Sequence, residues 1–297
     1  MSKSAKYIIA VAFLLGLNLA LFFSDDSSDS PKSTKYFQVE DLDAVSKFLF
    51  IVNGDTTKIE RSQGEWMLNN TYKADAGFVN SLISVLERVE AGRTIENWDN
   101  PTLGKVYVTF GDDSEYTFQI ATNPTQTKTY FVNNGEAREV AVPGYRDNVA
   151  DIFTLHPDQW RERMVFDGSW RTIQRLKVEN NDGTRFEIQF DDTFFLVNGN
   201  PPSDSTAVVN YLNQFQQFQA NEMISKGRFP VLDSISETEP IASVQIEDIK
   251  NEQPFVMSIY ANVKNQPYHL VIDASGRRMV IDSRRVQQIL QNPSALN

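Results

Sequence analysis

Side chains able to do chemistry crowd into one stretch of this 297-residue sequence: Thr154-Leu155-His156-Pro157-Asp158-Gln159-Trp160-Arg161-Glu162-Arg163-Met164-Val165. It brings together an imidazole, an indole, a pair of guanidiniums and a pair of carboxylates. His156, Arg161 and Arg163 could receive a carboxylate or another anion, because guanidinium forks bind such groups bidentately. The same residues also suit a structural task, in which Trp160 fills the seam between two packed units while the arginines pair with Asp158 and Glu162. The second task is the one expected here, since a connector between packed units must be pinned. His156, Trp160, Arg161 and Arg163 are therefore the candidate interaction or seam residues.

Elsewhere the chemistry thins out. Asp112-Asp113 and Asp191-Asp192 offer oxygen ligands, but neither pair sits in the alternating acidic pattern of a calcium loop, and both read as solvated hairpin tips. The 2 histidines, His156 and His269, lie far apart and neither belongs to a His-x-x-x-His or His-Glu pair. With no cysteine there is no disulfide, thiolate nucleophile or sulfur-ligated metal. No Gly-x-Ser-x-Gly elbow or phosphate-cradling glycine loop occurs. No catalytic, cofactor-binding or metal-ligating residue is therefore assigned. A carboxylate pair drawn from the 39 acids would suffice for glycoside cleavage, and an envelope glycan hydrolase is the alternative function. Phe194, Phe195, Tyr211, Phe215, Phe218 and Tyr260 could line a pocket, but their inward phase on strand and helix assigns them to a core.

The elements that must position these groups are written twice. Phe48 to Asn53 and Lys58 to Arg61 precede Trp66-Met67-Leu68, as Leu176 to Glu179 and Arg185 to Phe190 precede Phe194 to Val197. The turns between them, Asn53-Gly54-Asp55 and Asn181-Asp182-Gly183, tolerate the positive φ angles of tight hairpins. An amphipathic helix follows in each half. Asp75 caps the first, with Val79, Leu82, Ile83, Leu86 and Val89 inward; Asp204 or Ser205 caps the second, with Val208, Tyr211, Leu212, Phe215 and Phe218 inward. Phe78-Val79-Asn80-Ser81-Leu82 resembles Val208-Val209-Asn210-Tyr211-Leu212, and Ala91 and Ile95 stand against Ala220 and Ile224. Alternating strands then run in the same order, and each half closes on a short helix. The expected fold is α+β: a tandem duplication of a unit with an antiparallel sheet and one long helix on one face. The first repeat is placed at 36–153, the connector at 154–173 and the second repeat at 174–297.

The N-terminus fixes a compartment. Lys3 and Lys6 precede an apolar run from Tyr7 to Phe23, and Asp25, Asp26 and Asp29 follow it. As a helix the run spans roughly 25 Å, at the short end for a hydrocarbon core of about 30 Å. Small residues at a processing site are missing apart from Ala20, so 1–24 reads as a retained transmembrane anchor and 25–35 as a flexible linker. The charge asymmetry keeps the N-terminus in the cytoplasm, giving a single-pass inner-membrane protein with its bulk extracytoplasmic. The net charge is −11, and −13 without Lys3 and Lys6, which argues against nucleic acid as a partner.

The hairpin, Gly64-Glu65-Trp66-Met67-Leu68, Tyr72-Lys73-Ala74-Asp75, the capped helix, the Pro101-containing loop and Trp160-Arg161-Glu162-Arg163 together resemble the bacterial family catalogued as domain of unknown function 4340. The resemblance implies a membrane-anchored protein, associated in some members with transporters of the ABC type that resemble gliding-motility export systems. It carries no catalytic residues. The expected function is that of a non-enzymatic, membrane-anchored extracytoplasmic binding or accessory protein of an ABC-type transporter or envelope complex. A structural spacer is a further alternative.

Overall fold

The structure, a computed structural model, describes residues 35–95, 98–263 and 266–293. The expected anchor and all of the expected linker but Lys35 lie outside the described residues. Among the described residues no helix is long and apolar enough to cross a membrane.

The fold is α+β and rests on two large antiparallel sheets. The first is built from β1 Val45–Val52, β2 Asp55–Ser62, β3 Glu65–Leu68, β4 Tyr72–Lys73, β5 Glu90–Ile95, β6 Gly104–Phe110, β7 Glu115–Thr122, β8 Thr129–Asn133 and β9 Glu136–Ala141. Its spatial order is β4-β3-β2-β1-β6-β7-β8-β9-β5. The second takes β11 Ile173–Asn180, β12 Arg185–Asp191, β13 Phe194–Val197, β15 Glu222–Met223, β16 Ala242–Asp248, β17 Phe255–Ile259, β18 Tyr268–Asp273 and β19 Arg278–Asp282. Its order, β13-β12-β11-β16-β17-β18-β19-β15, repeats the first strand for strand, with no full counterpart to β4. Between β3 or β13 and the last edge strand comes a helix, α1 Ala76–Arg88 in the first unit and α3 Ser205–Asn213 in the second. A short helix after the last hairpin closes each unit, α2 Ala150–Phe153 and α5 Ser283–Leu290.

Local chemistry accounts for these elements. The β1–β2 hairpin turns on Asn53 and Gly54, both at positive φ, and the β11–β12 hairpin has Gly183 there. Asp75 and Asp204 each accept two first-turn amides with one carboxylate oxygen, which starts α1 and α3 at the same point of the repeat. This capping alignment sets Val79 against Val208 and Leu82 against Tyr211, all buried. The pairing of Leu82 with Leu212 suggested by sequence is thus one residue out. The duplication reaches fine detail: β1 carries a bulge between Val45 and Lys47 against β6, and β11 carries one at the same place, between Ile173 and Arg175, against β16.

Each sheet has its own apolar core. The first runs from Phe37 to Trp160 and the second from Val165 to Ile289. The stretch expected as a connector is therefore shared: its first half ends in one core and its second half begins the other. Val165 and Phe166, on β10 Met164–Phe166, enter the second core while β10 pairs with β14 Phe218–Gln219. One helix, α4 Pro230–Ser236, lies in an 18-residue passage between β15 and β16 that has no equal in the first unit.

Candidate functional site

Pro157–Trp160 forms a single 3-10 turn in the middle of the shared stretch, and a reciprocal cap holds its start. His156 Nδ1 accepts from the Asp158 amide at 3.1 Å, and the Gln159 side-chain oxygen accepts from the His156 amide at 2.9 Å. This Nδ1 is thus engaged by the backbone of the turn, and it stands 3.7 Å from Asp158 Oδ2. His269, the other histidine, bonds through Nδ1 to the Tyr260 carbonyl at 2.8 Å.

After the turn the chain zips onto the entrance of α1. The Asp75 amide donates to the Trp160 carbonyl at 2.7 Å, Ala74 bridges Arg161 as an antiparallel pair, and the Glu162 amide donates to the Lys73 carbonyl at 2.8 Å. Arg163 Nε then donates to Asp75 Oδ2 at 3.1 Å. Asp75 thus caps the helix with one oxygen and holds the arginine with the other. Arg163 pairs here rather than with Glu162, which faces Lys73 at 3.6 Å.

Trp160 is fully buried, with ring centroids 5.7 Å from Phe50 and 6.1 Å from Phe78. It belongs to the first core rather than to the seam where the sequence placed it. Its indole nitrogen has no hydrogen-bond partner. Arg161 is 4% exposed and lies with its guanidinium carbon 3.8 Å from the Tyr72 ring centroid. It also donates to Asp158 Oδ1 at 3.4 Å.

The residue that crosses between the units is Asp158, only 3% exposed. Ser225, just beyond β15, gives it two short hydrogen bonds, 2.7 Å from its amide to Oδ2 and 2.6 Å from its hydroxyl to Oδ1. Arg228 approaches Oδ2 at 3.5 Å and is itself anchored by Glu222 at 2.6 Å. At this joint two guanidiniums face two carboxylates, so charge is balanced inside the protein and none is left to recruit an anion. Nor is the serine activated. A nucleophilic triad places an imidazole between hydroxyl and carboxylate, whereas Ser225 bonds directly to the carboxylate and His156 is spent on its cap. The arrangement fixes two sheets relative to each other.

Sequence reasoning named Asp158 only as a local partner for arginine and missed Ser225 and Arg228. Those two lie 67 and 70 residues further on, in a passage with no motif of its own. The remaining candidates sit where turns need them. Asp112 accepts from the Ser114 hydroxyl and amide, which holds its carboxyl below the usual carboxylate value. Tyr211, Phe195, Phe215 and Phe218 are buried in the second core. Among the described residues no group of three or more His, Asp or Glu side chains could hold a metal ion.

No curated protein and no solved structure shows detectable similarity to the chain. A family model described as a domain of unknown function does match, over residues 66–234, from β3 of the first unit to α4 of the second. That span contains Asp75, Asp158, Arg161, Arg163, Ser225 and Arg228, so the joint lies wholly inside it, and the chain belongs to the DUF4340 family.

Proposed function

We propose that the protein is a non-enzymatic accessory or binding protein. The apolar run at its N-terminus anchors it in the membrane, and the two sheets are held on the extracytoplasmic side beside an ABC-type transporter or envelope complex. The observation that carries this reading is the joint. The side chains best suited to chemistry are committed to structure: His156 caps its turn, Asp158 joins the two units through Ser225 and Arg228, and Arg161 on Tyr72 and Arg163 on Asp75 pin the stretch to the first unit. A tethered pair of fixed sheets offers a wide, preset surface at high local concentration next to a membrane partner. Support for the compartment comes from the charge asymmetry around the run Tyr7 to Phe23.

Affinity purification of the full-length protein from detergent-solubilised membranes tests this reading. Co-purification of a transporter's membrane subunit, lost when the sheets are uncoupled by Asp158→Ala, is the expected result. Retention of no membrane partner, together with cleavage of envelope glycans by the purified protein, would overturn it in favour of a hydrolase.

A further inference from the structure

The two units carry equivalent grooves beside the hairpin that follows their central strand, and the two differ in chemistry. The first is lined by Glu40, Asp41 and Asp112 with Tyr116 at its floor. In the second, of about 560 Å³, Phe255 takes the place of Tyr116 in the strand register, and Lys250, Asn251, Gln253 and Arg277 form the rim. That volume falls within the range of small-ligand sites, about 300 to 1,000 Å³. Phe255 lies half-buried, stacked on the buried Phe166 with centroids 5.0 Å apart and planes at 28°, so one aromatic ring, backed by another, lines the groove.

We propose that this second groove binds a neutral oligosaccharide. Three observations select that class. Both cations are already balanced, Arg277 Nε by Asp273 at 2.6 Å and Lys250 by Asp167 at 3.6 Å, so a phosphate or carboxylate finds no unpaired charge. The outer edge of β10 is closed to an added peptide strand, because its outward carbonyls at Val165 and Asp167 already accept from Arg277 and Lys250. What remains exposed on the rim are the side-chain amides of Asn251 and Gln253, groups that both donate and accept, as hydroxyls do. An aromatic floor with amphoteric polar groups above it suits the apolar face and hydroxyl edge of a sugar ring. The first groove, with three carboxylates and no cation on its lining, lacks this balance.

Binding of a saccharide without its cleavage leaves the transporter reading intact, whereas cleavage would favour a hydrolase. The test is isothermal titration of the full-length protein in detergent micelles with chitotetraose and with maltotetraose. Saturable binding of either is expected, weakened about tenfold in Asn251→Ala/Gln253→Ala through loss of hydrogen bonds to hydroxyls. Both residues are exposed, so the variant keeps the wild-type melting temperature. Gln38→Ala, in the first groove, leaves the affinity unchanged. No heat from either saccharide at millimolar concentration would overturn the proposal. So would equal binding by the double variant, or saturable binding of inorganic phosphate or of an unmodified peptide in place of the sugar.

Discussion

The two units share one topology and one bulge, yet they divide the bulk of their cores differently between sheet and helix. In the first, the bulk comes from the sheet and the closing helix: Phe48, Phe50, Phe118, Phe131 and Phe153 are buried against a helix lined by Leu82, Leu86 and Val89. In the second, the register puts Leu176, Val178, Met257 and Val271 in the sheet positions, with Ile289 on the closing helix. Phe186 and Phe195 keep rings on the sheet, but further rings stand on the long helix and its exit, Tyr211, Phe215 and Phe218. Volume lost on one face is returned on the other. The order of elements thus follows from patterning, caps and turns, while the identity of core side chains is free to exchange so long as the space is filled.

The largest effect is expected where the first core depends on one ring. Trp160→Ala should cost about 3 to 5 kcal/mol in urea unfolding, because Phe50 and Phe78 cannot close over the space. A loss under about 1 kcal/mol would mean that the indole is not part of that core.

The exchange of bulk can be tested by making it locally. Leu86→Phe, which installs the ring found at Phe215, should overpack the first core by about 1 to 3 kcal/mol. Adding Phe118→Met, the residue of the second unit at that place, should recover part of the loss. Strict additivity of the two costs would break the comparison.

A smaller difference is polar. Tyr211 stands where the first unit has Leu82, and its buried hydroxyl donates to the Ile289 carbonyl, tying α3 to α5. Tyr211→Phe should cost about 1 kcal/mol. Thermal melting of the variant checks it.

The smallest concerns acid. Burial pushes the Asp273 carboxyl up, but hydrogen bonds from the Ser275 hydroxyl and from Arg277 outweigh it and hold the group below its ordinary value of 3.8. A lowered carboxyl pKa adds stability above the ordinary value, and that contribution is lost as pH falls through the lowered one. The register gives Asn133 at this position in the first unit, which has no such dependence. Acidification below about pH 4 should therefore destabilise the second unit through this group, and Asp273→Asn should remove that part of the pH dependence. Identical acid profiles for variant and wild type would remove the distinction.

Much of this was legible in the sequence because it is written locally. Asn53-Gly54, Asp75 and Asp204, and the alternation of β6 and β16 each announce an element within a few residues. What failed was whatever depends on distant partners. Trp160 reads as a seam residue from its neighbours alone, and only Phe50 and Phe78 place it in the first core. Arg161 looks like an exposed surface pair until Tyr72 covers it, so its removal should cost more than the roughly 1 kcal/mol of a surface ion pair. Ser225 and Arg228 carry no local signal, since a serine after a two-residue strand resembles any loop serine.

The central claim is that Asp158 and its partners fix the two sheets together. A double-mutant cycle of Asp158→Ala and Ser225→Ala, read by urea unfolding of the full-length protein, tests it most directly. A coupling of about 1 to 3 kcal/mol is expected for the hydroxyl–carboxylate bond to the buried Asp158, the part of the contact that Ser225→Ala removes. Costs that add within about 0.5 kcal/mol would contradict it, because the hydroxyl–carboxylate bond across the joint would then hold nothing.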